Sequence, residues 1–128
     1  MLILDHTPER WGTHIRKALA TIEGILPAWY PELRYQREAV APCAALTPEA
    51  RAVVICEAGS TPTPGAWAST AFSRQDPPPK ALMILAAFAN PNPTLIVHEL
   101  HHALTGEVGH TGWERRSPPF DPGKLQPL

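Results

Sequence analysis

Residues 98–102 read His98-Glu99-Leu100-His101-His102, so His98 and His102 end an H-E-x-x-H pattern. On a helix, at about 100° per residue, the second histidine lies about 40° around the axis from the first and one turn along it. Both imidazoles then face one point, and two neutral ring nitrogens so placed are donors that zinc takes readily. Glu99 sits on the flank of that face, placed to reach a water rather than the ion. The chemistry such a set performs is metal-assisted hydrolysis, with His98 and His102 as zinc ligands and Glu99 as the general base.

A hydrolytic zinc site takes three protein ligands and keeps one position open, so a third donor must come from elsewhere. His110 is a candidate, because it lies in Gly109-His110-Thr111-Gly112, where two glycines let the backbone reverse towards the helix. Glu114 is the rival, since a carboxylate completes the site in one large class of zinc peptidases. His101 flanks the ligand face on the side opposite Glu99 and reads as solvent-facing or as a support for the ligands. His6 and His14 read as surface residues. Tyr30, Tyr35, Arg115 and Arg116 are the residues available to stabilise an oxyanion.

The stretch from Thr94 to Leu104, followed by Gly109-His110-Thr111-Gly112-Trp113, resembles the SprT-like zinc metallopeptidases of the zincin group. The resemblance implies that His98, His102 and His110 hold the zinc, that Glu99 is the base and that Trp113 fills the family's aromatic position. It covers about twenty residues of the chain. The turn reads Gly-His-Thr-Gly instead of Gly-His-Gly, and no cysteine-rich zinc ribbon follows, which weakens any transfer of a DNA-linked role. A metzincin is disfavoured, because the positions for its glycine and third histidine are Thr105 and Val108 and no methionine follows the site. The glutamate-ligand zincins stay open through Glu114.

The elements that must position these residues are legible in part. Thr7-Pro8-Glu9 reads as a helix start, after which Trp11, Ile15, Ala18, Leu19, Ile22 and Leu26 recur at helical spacing until Pro27. Four segments read as strands: Leu33 to Val40, Ala52 to Glu57, Trp67 to Ser73 and Ala81 to Phe88. Proline clusters such as Asp76-Pro77-Pro78-Pro79 separate them. The strand Ala81 to Phe88 is the expected rim of a cleft that binds extended peptide. Asn92 caps the motif helix and Pro93 begins it; the helix runs to about Thr105 and stops at Gly106. Ile96, Val97, Leu100, Ala103 and Leu104 form an apolar arc opposite the His98/His102 face, which separates core from metal. The tail 117–128 is an extended strap or flexible.

The expectation is therefore an α+β domain spanning 1–128. It is minimal and zincin-like, with an N-terminal helix, a small three- to four-stranded, mostly antiparallel or mixed sheet, the active-site helix and a short C-terminal strap. With 128 residues, a net charge of -1 and 16 prolines, the chain suits one loop-rich domain and offers no positive field for a nucleic-acid backbone. No run of about 18 apolar residues and no signal-like start occurs, so a cytoplasmic protein without a membrane partner is expected. Cys43 and Cys56 read as two buried thiols, with a disulfide possible only in an oxidising setting. The expected function is zinc-dependent hydrolysis of peptide or protein substrates. The alternative is a zinc-stabilised binding or regulatory module with little hydrolysis, and the third option is an α+β fold without metal.

Overall fold

The computed structural model describes residues 2–25, 33–72 and 80–105. Within them run β1 (Leu2–Asp5), α1 (Glu9–Ile25), β2 (Arg34–Arg37), a 3-10 turn (Cys43–Ala45), β3 (Ala52–Ala58), β4 (Ala68–Phe72), β5 (Lys80–Ala86) and α2 (Pro93–Thr105). The fold is α+β, with the expected helix early in the chain and the motif helix after the strands. The sheet is mixed, one of the two expected arrangements, and corrects the expected strand number. It has five strands, in the order β2-β1-β3-β5-β4, where three or four were expected. Its pairings have a parallel majority: β1 pairs β2 and β3 in parallel, β3 pairs β5 in parallel, and only β4 runs antiparallel to β5.

The physical reasons for the additional strand and for the parallel pairings lie in the first forty residues. Leu2-Ile3-Leu4 is too short a run to show a period, yet Ile3 is 0% and Leu4 5% exposed, as in a strand covered on both faces. The 17-residue α1 joins β1 to β2 and supplies the long crossover that parallel neighbours require.

Side-chain parity then sorts the sheet into two faces. Ile3, Val53, Ile55, Ala81, Met83 and Leu85 join the helices in the main core, and Leu4, Ala52 and Val54 form a second cluster with Leu46 and Leu82. The α1 stripe Trp11, Ile15, Ala18, Leu19 and Ile22 is buried as its spacing predicted. Each such large apolar side chain contributes about 1.5–3 kcal/mol. Leu26, Pro27, the 76–79 proline cluster, Gly106 and the 117–128 tail lie outside the described residues.

Polar contacts fix how α1 sits on the sheet. Asp5, 0% exposed at the end of β1, accepts from the Thr7 amide and hydroxyl, the Tyr35 hydroxyl and Arg37 Nη1. Burial and the Asp5 carboxylate push the Tyr35 hydroxyl above its ordinary pKa. Arg10 at the start of α1 donates to Glu57 at the end of β3 and to the Ala87 and Ala89 carbonyls in the loop before α2. Glu57 also accepts from the Trp11 indole at 2.6 Å. One arginine thereby joins α1, β3 and the lead-in to the motif helix.

The cysteines correct another expectation. Cys43 and Cys56 are disulfide-bonded, with Cα atoms 5.1 Å apart and a sequence separation of 13, and so are not two buried thiols. The bond ties the 3-10 turn to β3, beside the Pro42 to Glu57 bridge. A loop closed over 13 positions restricts the unfolded chain by about 3 kcal/mol. We predict that the unfolded, unreduced protein takes up no alkylating reagent, and that Cys43→Ala/Cys56→Ala lowers the urea-derived stability by about 2–3 kcal/mol. Two alkylated thiols without prior reduction would contradict the bridge.

Candidate metal centre

The motif helix begins as its sequence requires. The Asn92 side-chain oxygen accepts the Leu95 amide at 2.8 Å, and Pro93 opens α2 where no amide partner is needed. Leu95, Ile96, Val97, Leu100 and Ala103 enter the main core. This is the expected apolar arc with Leu95 added, and Leu104 packs against its edge.

On the other side, His98 and His102 converge. Their Nε2 atoms lie 3.2 Å apart and the ring planes cross at 74°. Two nitrogens bound tetrahedrally at about 2.05 Å from one zinc ion would stand about 3.3 Å apart. The separation that α2 imposes therefore fits a shared ion with little adjustment. Between neutral rings one of the facing nitrogens carries a proton, whereas an ion needs both lone pairs, so binding would leave each ring with its proton on Nδ1.

Glu99 completes the cluster. His98, Glu99 and His102 each offer a donor atom within 4.8 Å of the others, a group that could hold a metal ion. The two carboxylate oxygens are not equivalent. Oε1 accepts the Thr70 hydroxyl at 2.7 Å, and Oε2 lies 3.8 Å from His98 Nε2. Glu99 is 3% exposed. Burial raises its pKa to about 7, against the smaller lowering effect of the Thr70 hydrogen bond.

Thr70 is the site residue that the sequence reading missed. It stands on β4 opposite Met83 of β5, and α2 packs on both strands. Its signal was available: Thr70 shares parity with the core residue Ala68, which puts a hydroxyl on the inward face of a strand.

Other expected residues fall elsewhere. His101 is 1% exposed, so it is not solvent-facing, and it is not among the three that converge. Tertiary packing closes over the flank that a helical wheel leaves at the boundary. His6 uses Nδ1 on the Ala39 carbonyl, and His14 is half-buried. Tyr35 lies on β2, the sheet edge remote from β4, and donates its hydroxyl to Asp5 on β1. His110, Trp113, Glu114, Tyr30, Arg115 and Arg116 lie outside the described residues. The strand expected to form the rim, β5, is paired on both sides, and the edge beside α2 is β4.

Comparison with known proteins finds no matching family, no matching curated protein and no matching solved structure. Among the described residues, no helix is long and apolar enough to cross a membrane.

The raised Glu99 pKa gives a signed stability prediction for the metal-free protein. A carboxyl titrating at about 7 when folded against 4.5 ordinarily favours the fold fully below pH 4.5. It loses that contribution as pH rises to 7, by about 3 kcal/mol in total. Glu99→Gln stays neutral and should overtake the wild type in urea midpoint between those limits, the gap levelling above pH 7. A gap independent of pH would show that Glu99 is ionised throughout.

Proposed function

We propose that the chain is a zinc-dependent metallopeptidase, with His98 and His102 as ligands, His110 as the third and Glu99 as general base. The observation that supports it best is the convergence of two imidazole nitrogens 3.2 Å apart beside a buried carboxylate. Nitrogen donors and the helical spacing suit zinc, and the resemblance to SprT-like peptidases points the same way.

When bound, zinc supplies a Lewis acid that polarises a carbonyl and brings the pKa of a water to about 7. His98 and His102 orient that centre from one rigid helical turn. Glu99 takes the proton at Oε2, the oxygen nearer His98, and hands it to the departing amine. A bound cation also draws the Glu99 pKa down, so the base is ionised near neutral pH. The β4 edge, with one strand neighbour among the described residues, can receive an extended peptide by main-chain hydrogen bonds. Peptides or unfolded proteins are the substrates such an edge accepts with little sequence selectivity.

A second reading draws on the same cluster. Three donor atoms within 4.8 Å would also suit a structural ion that Glu99 helps to enclose, in a binding module with little turnover.

Three measurements separate these readings. The purified chain should carry about one equivalent of zinc without chelators; less than about half would remove both. Glu99→Gln should keep the zinc yet lower cleavage of an unfolded protein substrate by about 10² to 10⁴. Equal turnover in the two would end the peptidase reading. Finally, His110→Ala should lose zinc and Glu114→Ala should retain it, the opposite pair of results placing the chain with the glutamate-ligand zincins.

A further inference from the structure

Glu99 is near enough to His98 and His102 to join them as a ligand, yet a general base has to stay off the ion. Something must hold it back. The sheet supplies a hydrogen-bond partner for its carboxylate, the Thr70 hydroxyl at 2.7 Å from Oε1. Threonine is branched at Cβ, so its χ1 has few options and its hydroxyl stays where the strand aims it. The strand itself is fixed, since Thr70 pairs in register with Met83, which is 0% exposed. With Oε1 tethered to β4, the carboxylate cannot turn both oxygens towards the histidines, and Oε2 remains 3.8 Å from His98 Nε2.

We propose that Thr70 is a positioning residue whose hydroxyl keeps Glu99 out of the metal's ligand set, so that the carboxylate serves as a base. This rests on the metal reading above. It assigns the choice between a catalytic and an enclosed site to one hydroxyl on a neighbouring strand. Removing that hydroxyl frees Oε1, and the buried carboxylate then satisfies itself on the nearest cation.

The test uses the full chain loaded with cobalt(II), whose visible spectrum reports the number and kind of its ligands. Thr70→Val, similar in shape without the hydroxyl, should change the spectrum towards higher coordination and bind cobalt about tenfold more tightly. Thr70→Ser should restore the wild-type spectrum and affinity, which a purely structural role for the threonine would not require. In Thr70→Val/Glu99→Gln the extra ligand should disappear again. Glu99→Gln alone tests the same point without altering β4, and its cobalt spectrum should match the wild type.

Identical spectra and affinities in the wild type and a folded Thr70→Val would overturn the proposal. So would a changed ligand set in Glu99→Gln alone, because Glu99 would already be bound. A chain that takes up no cobalt removes the metal reading along with it. Altered coordination in Thr70→Val, together with no hydrolysis by the wild type, would keep the Thr70 role and discard the peptidase.

Discussion

Taking a carboxylate and two imidazoles out of water on adjacent turns of one helix opposes folding, and most of the surrounding structure serves to offset it. His98, Glu99 and His102 are 1%, 3% and 9% exposed. An unpaired buried charge would cost several kcal/mol, so the groups stay neutral or find partners. Glu99 does both: its pKa rises to about 7 and one oxygen takes a hydrogen bond from Thr70. The histidines meet each other at 3.2 Å. A cation would take up the two imidazole nitrogens and offset the charge of the neighbouring carboxylate. A polar helix face sealed in this way is at odds with simple packing and in keeping with a site.

The compensation comes from the opposite face of α2 and from the loop before it. Leu95, Ile96, Val97, Leu100 and Ala103 bury against α1 and the sheet, so the helix is held by its apolar side whatever happens at its polar one. Its first turn is fixed by the Asn92 cap. The approach is fixed by Arg10, which holds the Ala87 and Ala89 carbonyls while paired with Glu57. That pair is partly exposed, and its value lies in the geometry it sets more than in its Coulomb energy. Asp5 does the corresponding work for β1, β2 and the start of α1.

What could be read from the sequence was whatever is local. His98, Glu99 and His102 sit within five residues and declare themselves by spacing. The cap at Asn92, Pro93 at the first turn and the Trp11 to Ile22 stripe are equally short-range signals, and each fell where the periodicity put it. The failures are all long-range. β1 is four residues long, and its identity depends on strands that begin at Arg34 and Ala52. The parallel majority depends on how α1 crosses, which no alternation of side chains encodes. The Cys43 to Cys56 bridge depends on the 3-10 turn folding back over β3. Thr70 lies 29 positions before Glu99, and a threonine in a strand looks the same in sequence whichever group it touches.

The three converging residues are not held in the same way, and that difference governs how the site responds to change. His98 and His102 are fixed relative to each other by a single turn of α2, so any motion of the helix carries both together. Glu99 shares that helix, but its carboxylate is tied to β4. The distance from the Glu99 carboxylate to the two imidazoles is therefore set by the packing of α2 on the sheet, through Met83 and Ala68, both buried in the same core as Leu100. A shift of that interface moves Oε1 with the strand and the imidazoles with the helix. Close-packed interiors transmit such shifts. Core positions with no polar atom near the cluster thus act on it through the hydrogen bond from Thr70 on the sheet to Glu99 on the helix.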